Sequence, residues 1–295
     1  MTNIFVFGAS GRVGGRFAAL KVAEGHEVHG LTRSDANAAA LHAAGIMPIV
    51  DDIRNHGSFL PIAAEADTVL LATADAQDQD IVEIDLIEAL ASEIPDQYSK
   101  PHVIKLSAQS AGLDPPRSFG IFHRRSEAVL ETGNLPYTIL RPTSFLQSLL
   151  LFAADIASKR KFVAPAGKGR IAMVGVDDIA RTAAAVADSA EHHGKTYTLT
   201  GPTAHSLHDF AKMLSSRLST KVSYSSPPAF VAKIVLPLVT GMPRWQSNLV
   251  VDLLNALSQG AQEAVSNDVL AVTGRPPQSL DAFLDQEIEA FRKTP

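Results

Sequence analysis

Residues 122–127 read FHRRSE, which sets a histidine, two arginines, a serine and a glutamate side by side. Imidazole and carboxylate hold or pass protons, and guanidinium holds anions. The stretch is therefore either a solvated helix turn or the working face of a site. His123 and Glu127 stand four positions apart, which puts them on one helix face. Arg124 and Arg125 point elsewhere around that helix and read as solvated.

A second stretch has its own chemistry. Gly8-Ala9-Ser10-Gly11-Arg12-Val13-Gly14 has the form GxxGxxG and lies between an apolar run and a helical pattern. Glycines permit the tight turn and let backbone N–H groups approach a pyrophosphate, and the helix N-terminus adds a favourable dipole. Such a loop at the first strand–helix turn is the signature of a dinucleotide site. Contacts are expected along Gly8, Ser10, Gly11, Arg12, Val13 and Gly14.

The next strand ends Leu31-Thr32-Arg33-Ser34, without the acidic residue that would hold a ribose 2′-hydroxyl. Arg33, with Ser34 beside it, suits a 2′-phosphate, and Arg12 could reach the same group. The expected cofactor is NADP(H). Asp52 and Ile53, after the third strand, would flank the adenine. Ala72, Thr73 and Ala74, after the fourth, would lie near the ribose and pyrophosphate. All these positions fall at strand carboxyl ends, where open α/β sheets bind ligands.

The elements that must hold these groups alternate. NIFVFGA, EVHGLTR, MPIVDD, TVLLATA, HVIKLSA and YTILRP are short apolar runs, each followed by a helical or loop segment. Continuous apolar strands separated by helices indicate a parallel sheet covered on both faces. The fold class is α/β, a doubly wound parallel Rossmann sheet with a smaller, mostly helical C-terminal substrate-binding part. The expected division is a cofactor domain over 1–150 and an α+β part over 151–295, interleaved with the sheet. After residue 142 we expect a helix over 144–158, and two short strands around a glycine turn in KFVAPAGKGRIAMVGV. A helix in VDDIARTAAAVADSA, a strand in KTYTLTG and a helix in SLHDFAKMLSSRL capped by Ser206 follow. The apolar stretch AFVAKIVLPLVTG at 229–241 reads as a buried or pocket-lining helix.

Composition narrows the function class. The 295 residues carry a net charge of −5, so no global field draws the chain to nucleic acid. There is no cysteine, which excludes disulfides, thiolate metal sites and thiol nucleophiles. His192-His193 are adjacent, and His205 and His208 lack an evident third ligand, so no metal site is expected. The start MTNIFVFGAS reads as a first strand, not a signal peptide, and 229–241 is too short to span a bilayer. The expected setting is cytoplasmic, with no membrane and no nucleic-acid partner.

VFGASGRVGG, HRRSEAVLETGNLPYTILRPTSF, VDDIARTAAAV, KTYTLTGP and TGRPPQSLDAFL, in that order and spacing, resemble the NmrA-like branch of atypical short-chain dehydrogenases/reductases. The resemblance spans nearly the whole chain. The wider superfamily carries Tyr-x-x-x-Lys at the start of the fifth helix, but here Phe119 and His123 stand at those places, and none of the 4 tyrosines has a lysine four residues on. The resemblance implies that His123 faces the nicotinamide and that Glu127 orients it. It puts Ser107 at a substrate-facing hydroxyl position, though a serine there could equally cap local backbone. It brings Pro142, Thr143 and Phe145 toward the nicotinamide. Gln147 stands where the branch often has asparagine.

The expected activity is transfer of hydride from NADPH to an apolar unsaturated acceptor such as a quinone, azo dye, imine or conjugated carbonyl. Such acceptors delocalise incoming charge and depend less on a placed acid, taking a proton from water or His123. The alternative is a non-catalytic NADP(H)-sensing regulator that acts through a protein partner. A small apolar substrate is the expected ligand, and a protein partner or a homodimer is compatible with either reading.

Overall fold

The computed structural model describes residues 1–94 and 100–292. The chain opens with strand β1 (Asn3–Phe7), helix α1 (Arg12–Ala23), β2 (Glu27–Thr32), α2 (Asp35–Ala43), β3 (Met47–Val50), α3 (Leu60–Ala64) and β4 (Thr68–Leu71). It continues with α4 (Gln79–Glu93), β5 (His102–Leu106), α5 (Gly120–Thr132) and β6 (Tyr137–Pro142). Then come α6 (Ala153–Lys159), β7 (Lys161–Val163), β8 (Arg170–Ile171), α7 (Val176–Ala187) and β9 (Lys195–Leu199). The remainder is β10 (His205–Ser206), α8 (Leu207–Arg217), β11 (Ser223–Ser225), α9 (Ala229–Thr240), α10 (Arg244–Ser258), α11 (Asp268–Thr273) and α12 (Leu280–Glu287).

One seven-stranded sheet has the order β3-β2-β1-β4-β5-β6-β9. The order reverses between β1 and β4, and the pairings from β3 to β6 are parallel. Strands buried on both faces need apolar residues at consecutive positions, and β4 (TVLL) has all four residues buried. This is the parallel Rossmann core expected from the alternating runs.

The chain divides into two compact units. The first comprises 1–112, 120–141 and 176–198. Its core includes Phe5, Phe7, Phe59, Leu71, Leu86 and Val103. The second comprises 113–119, 142–175 and 199–295. Its core includes Phe162, Phe210, Leu214, Phe283 and Phe291.

Two expectations within the second unit are corrected, for residues 144–158 and 229–241. The helix expected over 144–158 begins as a 3-10 helix, Leu146–Phe152, and becomes α-helical only at α6. The two strands of KFVAPAGKGRIAMVGV form as expected, as β7 and β8. β7 pairs with β11 and β8 with β10, because each finds its hydrogen-bonding edge in a later segment. Residues 229–240 do form a helix, but Phe230 and Leu238 are 70% and 79% exposed, and Ile234 is exposed too. The helix keeps Ala232 buried and turns the larger apolar side chains outward, so it is neither buried nor fully packed. Ser206 caps α8 as expected, in a reciprocal capping box with Asp209. No helix among the described residues is long and apolar enough to cross a membrane.

Candidate functional site

The glycine loop joins β1 to α1. Gly8 has φ +84, and a Cβ there would come within 2.0 Å of the Ala72 carbonyl oxygen. The loop thus rests directly on the chain leaving β4, and a side chain would push the two apart. A Cβ on Gly14 would lie 2.3 Å from the Gly8 oxygen. The Gly11 N–H donates to Gly8 O at 2.8 Å, which closes the turn. Gly11 is the N-cap of α1 and brings no capping side chain. The first N–H groups of α1 are therefore left to whatever anion approaches, in a cradle that any Cβ would fill. These features fit a pyrophosphate. Ser10, Gly11 and Arg12 are exposed, while Val13 and Gly14 are buried under them.

At the end of β2, Arg33 is exposed and Ser34 caps α2 by accepting from the Asn37 N–H at 3.2 Å. Asp52 lies close enough for Arg33 to help lower its pKa, although its backbone hydrogen bond from Arg54 is the larger cause. Arg54 also donates to the Asp52 carboxylate at 3.2 Å and to Asp78 at 2.6 Å. Ile53 is packed against the core cluster of the first unit. After β4, Ala74 is exposed and Ala72 half-buried, but the Thr73 hydroxyl turns inward and donates to Glu83. Thr73 can therefore offer a ligand its backbone more readily than its side chain.

Beyond β5 the side chains form two buried networks. Glu83, from α4, has no exposed side-chain surface and accepts from Thr73, from Gln79 at 3.2 Å, from Lys105 at 2.9 Å and from Ser126 at 2.7 Å. Burial alone would raise its pKa; the charge of Lys105 and these hydrogen bonds outweigh that and hold it low. The Lys105 ammonium, equally buried, also donates to its neighbour's carbonyl, Leu106 O, at 2.9 Å and meets His123 Nδ1 at 3.0 Å.

The second network centres on Glu127. Burial would raise its pKa too, but Arg141, Ser107 and Arg124 together hold it low. Arg141 grips both carboxylate oxygens, Nε to Oε1 at 3.0 Å and Nη2 to Oε2 at 2.7 Å. Ser107 donates its hydroxyl to Oε1 at 2.5 Å and Arg124 donates to Oε2 at 3.1 Å. Glu127 is thus committed to Ser107 and two arginines, and it is Lys105 that orients His123. The Ser107 hydroxyl spends its proton on Glu127, so its oxygen is left with acceptor capacity alone. Arg124 also pairs with Glu131, and Arg125 with the buried Asp80, so both are tied down as well as partly solvated.

His123 itself is 7% exposed and sits in the first turn of α5. Gly120 presses that turn against the 3-10 turn Gln109–Gly112 that follows β5: a Cβ there would lie 2.3 Å from Ser110 C. His123 is thereby held beside the carboxyl ends of β4 and β5. Burial, and then Lys105, lower its pKa to about 3, so the ring is neutral near neutral pH.

The loop, Arg33, Ser34, Asp52, Ile53, 72–74, Ser107 and His123 all belong to the first unit, at the carboxyl edge of its parallel strands. Pro142, Thr143 and Phe145 fall in the second. There Thr143 is buried, with its hydroxyl donating to Ala172 O at 2.6 Å and its N–H to Leu199 O at 2.9 Å, and Phe145 bridges to Val174. Lys105 and Glu83 were missed in the sequence, although a lysine inside the apolar run HVIKLSA was a visible signal.

Residues 8–190 match a family model described as NAD(P)H-binding. The NAD(P)H azoreductase of Xenophilus azovorans is 25% identical over 288 residues, covering 98% of this chain and 99% of the relative. The structure of the NADPH-dependent quinone oxidoreductase from Escherichia coli in complex with NADPH superposes with a TM-score of 0.84 at 23% identity, covering 97% of this chain and 99% of that one. The Citrobacter sp. triphenylmethane reductase complexed with NADP(H) gives 0.80 at 20% identity, covering 96% and 99%. The latter two likenesses speak for the fold. With the cradle, the strand order and the family model in agreement, the chain belongs to the NAD(P)H-binding family, with a Rossmann fold that the NmrA structure shares at a TM-score of 0.77 and 16% identity.

Proposed function

We propose that this protein is an NADPH-dependent reductase of small, apolar, unsaturated acceptors: quinones, azo compounds, imines or conjugated carbonyls. The observation that carries the reading is one sheet edge holding both a glycine cradle and a buried neutral histidine, with Phe119 where the superfamily tyrosine would be. Full-length similarity to an azoreductase supports an enzymatic role.

The backbone around Gly8, Gly11 and Gly14 would hold the pyrophosphate, and Arg33 with Arg12 the 2′-phosphate that distinguishes NADPH from NADH. The nicotinamide, when bound, supplies a hydride. The chain's own contribution is orientation beside His123. At neutral pH His123 has no imidazolium proton to give, so an acceptor that needs a proton takes it from water.

The test is loss of reduced-nicotinamide absorbance with purified protein, NADPH or NADH, and a panel of quinones, azo dyes and conjugated carbonyls. Enzyme-dependent oxidation, faster with NADPH, is expected. A second reading, an NADP(H)-sensing regulator, draws on the exposed apolar side chains of α9, which offer a surface to a protein partner. Tight NADPH binding by calorimetry, with no turnover of any acceptor, would favour it.

A further inference from the structure

Lys105 carries three N–H donors, and the structure accounts for all three: Glu83 Oε1, Leu106 O and His123 Nδ1. An ammonium only donates, so Nδ1 of His123 must be the acceptor in that contact. A neutral imidazole with an accepting Nδ1 carries its hydrogen on Nε2. Among the described residues the ring's hydrogen bond is the one at Nδ1, and the residue keeps 7% of its surface exposed. Glu83 fixes Lys105, and Thr73, Gln79 and Ser126 fix Glu83 in turn.

We infer that Lys105, anchored on Glu83, is a positioning residue that holds the His123 proton on Nε2, and that this N–H favours acceptors whose heteroatom gains negative charge on reduction. The inference rests on the reductase reading above. In a quinone or conjugated carbonyl, the acceptor takes two electrons and one hydrogen from the cofactor. A C–H bond forms, the π pair moves onto oxygen, and that oxygen later takes a proton from water. A fixed neutral N–H aimed at the oxygen stabilises the charge without being transferred. A cationic triarylmethane dye behaves differently. Its hydride closes a carbocation to a neutral product, no anion develops, and the N–H contributes little.

The charged groups facing His123 are Lys105 from β5, Glu83 from α4 and Glu127 from its own helix. Asp75, in the segment after β4, faces Lys105 and Glu83. Its residue keeps exposed surface, but the protein around its carboxyl pushes its pKa up, with Lys105 opposing.

Nitrogen NMR of protein labelled at histidine tests the arrangement without any turnover. At neutral pH the expected His123 spectrum has an acceptor-type Nδ1 and a hydrogen-bearing Nε2, unchanged between pH 5 and 8 as its low pKa requires. Lys105→Met alone would strand a buried carboxylate, so the informative variant is Lys105→Met with Glu83→Gln, whose amide oxygen keeps an acceptor for Thr73 while Ser126 retains the His123 carbonyl. In it the His123 signals should move toward a mixture of tautomers. Its kcat for a benzoquinone should fall by about tenfold or more with KM little changed, while reduction of a cationic triarylmethane dye stays within about twofold. A wild-type ring with its hydrogen on Nδ1, an unchanged spectrum in the double variant, or equal losses on both acceptors would overturn the inference. If wild-type protein reduces neither acceptor, the reductase reading and its acceptor selectivity fall together. The nitrogen spectrum still decides where the ring hydrogen sits.

Discussion

Glu127 is a carboxylate with no exposed side-chain surface, gripped at both oxygens by Arg141. Cutting Arg141 to alanine removes that fork and leaves the charge to Ser107 and Arg124. The expected cost is about 3 kcal/mol, read as a lower urea midpoint with an unchanged slope. Arg33→Asp should weaken NADPH binding by about tenfold or more while sparing NADH; calorimetry with both cofactors checks this, and equal losses would remove Arg33 from the 2′-phosphate. At this scale the glycines and His123 were legible because residue type and spacing alone mark them. The partners were less so. Glu127 reads in sequence as the group that orients His123, yet the bonds it makes go to Ser107, Arg124 and Arg141. Lys105, the partner actually found, is separated from His123 by 18 residues, a pairing that only the packing of β5 against α5 reveals.

At the scale of elements, the β1–α1 turn tolerates no added carbon. Gly14→Ala would bring a methyl against the Gly8 carbonyl and force the loop open. The expected result is loss of measurable NADPH binding with a stability change of about 1–3 kcal/mol, checked by calorimetry beside urea unfolding. The parallel strands were legible because buried strands must be apolar at every position. β7, β8, β10 and β11 have only two or three residues each, and so short a run carries no register information. α9 shows the opposite failure. Its apolar composition predicted a buried or pocket-lining helix, but composition does not say whether a partner surface exists within the chain.

For the molecule as a whole, the buried histidines set an acid limit. Burial is the largest cause that lowers His102 and His123 from 6.5 to about 3, so both are neutral in the folded state. In the unfolded chain each binds a proton near 6.5. Between 6.5 and about 3 the unfolded state therefore holds more protons, and stability falls as pH drops through that window. Each contributes a slope of about 1.4 kcal/mol per pH unit there. Glu83 and Glu127, whose pKa values are lowered by folding, stabilise above 4.5 and add a further loss below it. Urea midpoints measured from pH 7 to pH 4 should decline, and His102→Asn should flatten the decline; an identical curve would show that His102 does not titrate on unfolding. The first unit is assembled from three separate stretches of chain, 1–112, 120–141 and 176–198. Its final segment contains α7, whose Asp177 pairs with Arg16 of α1, while Asp188, just past the helix, pairs with Lys21. During synthesis on the ribosome, the N-terminal helix must therefore wait for its partner until about two-thirds of the polypeptide has left the exit tunnel. Until then the nascent chain exposes the face of α1 that α7 will cover.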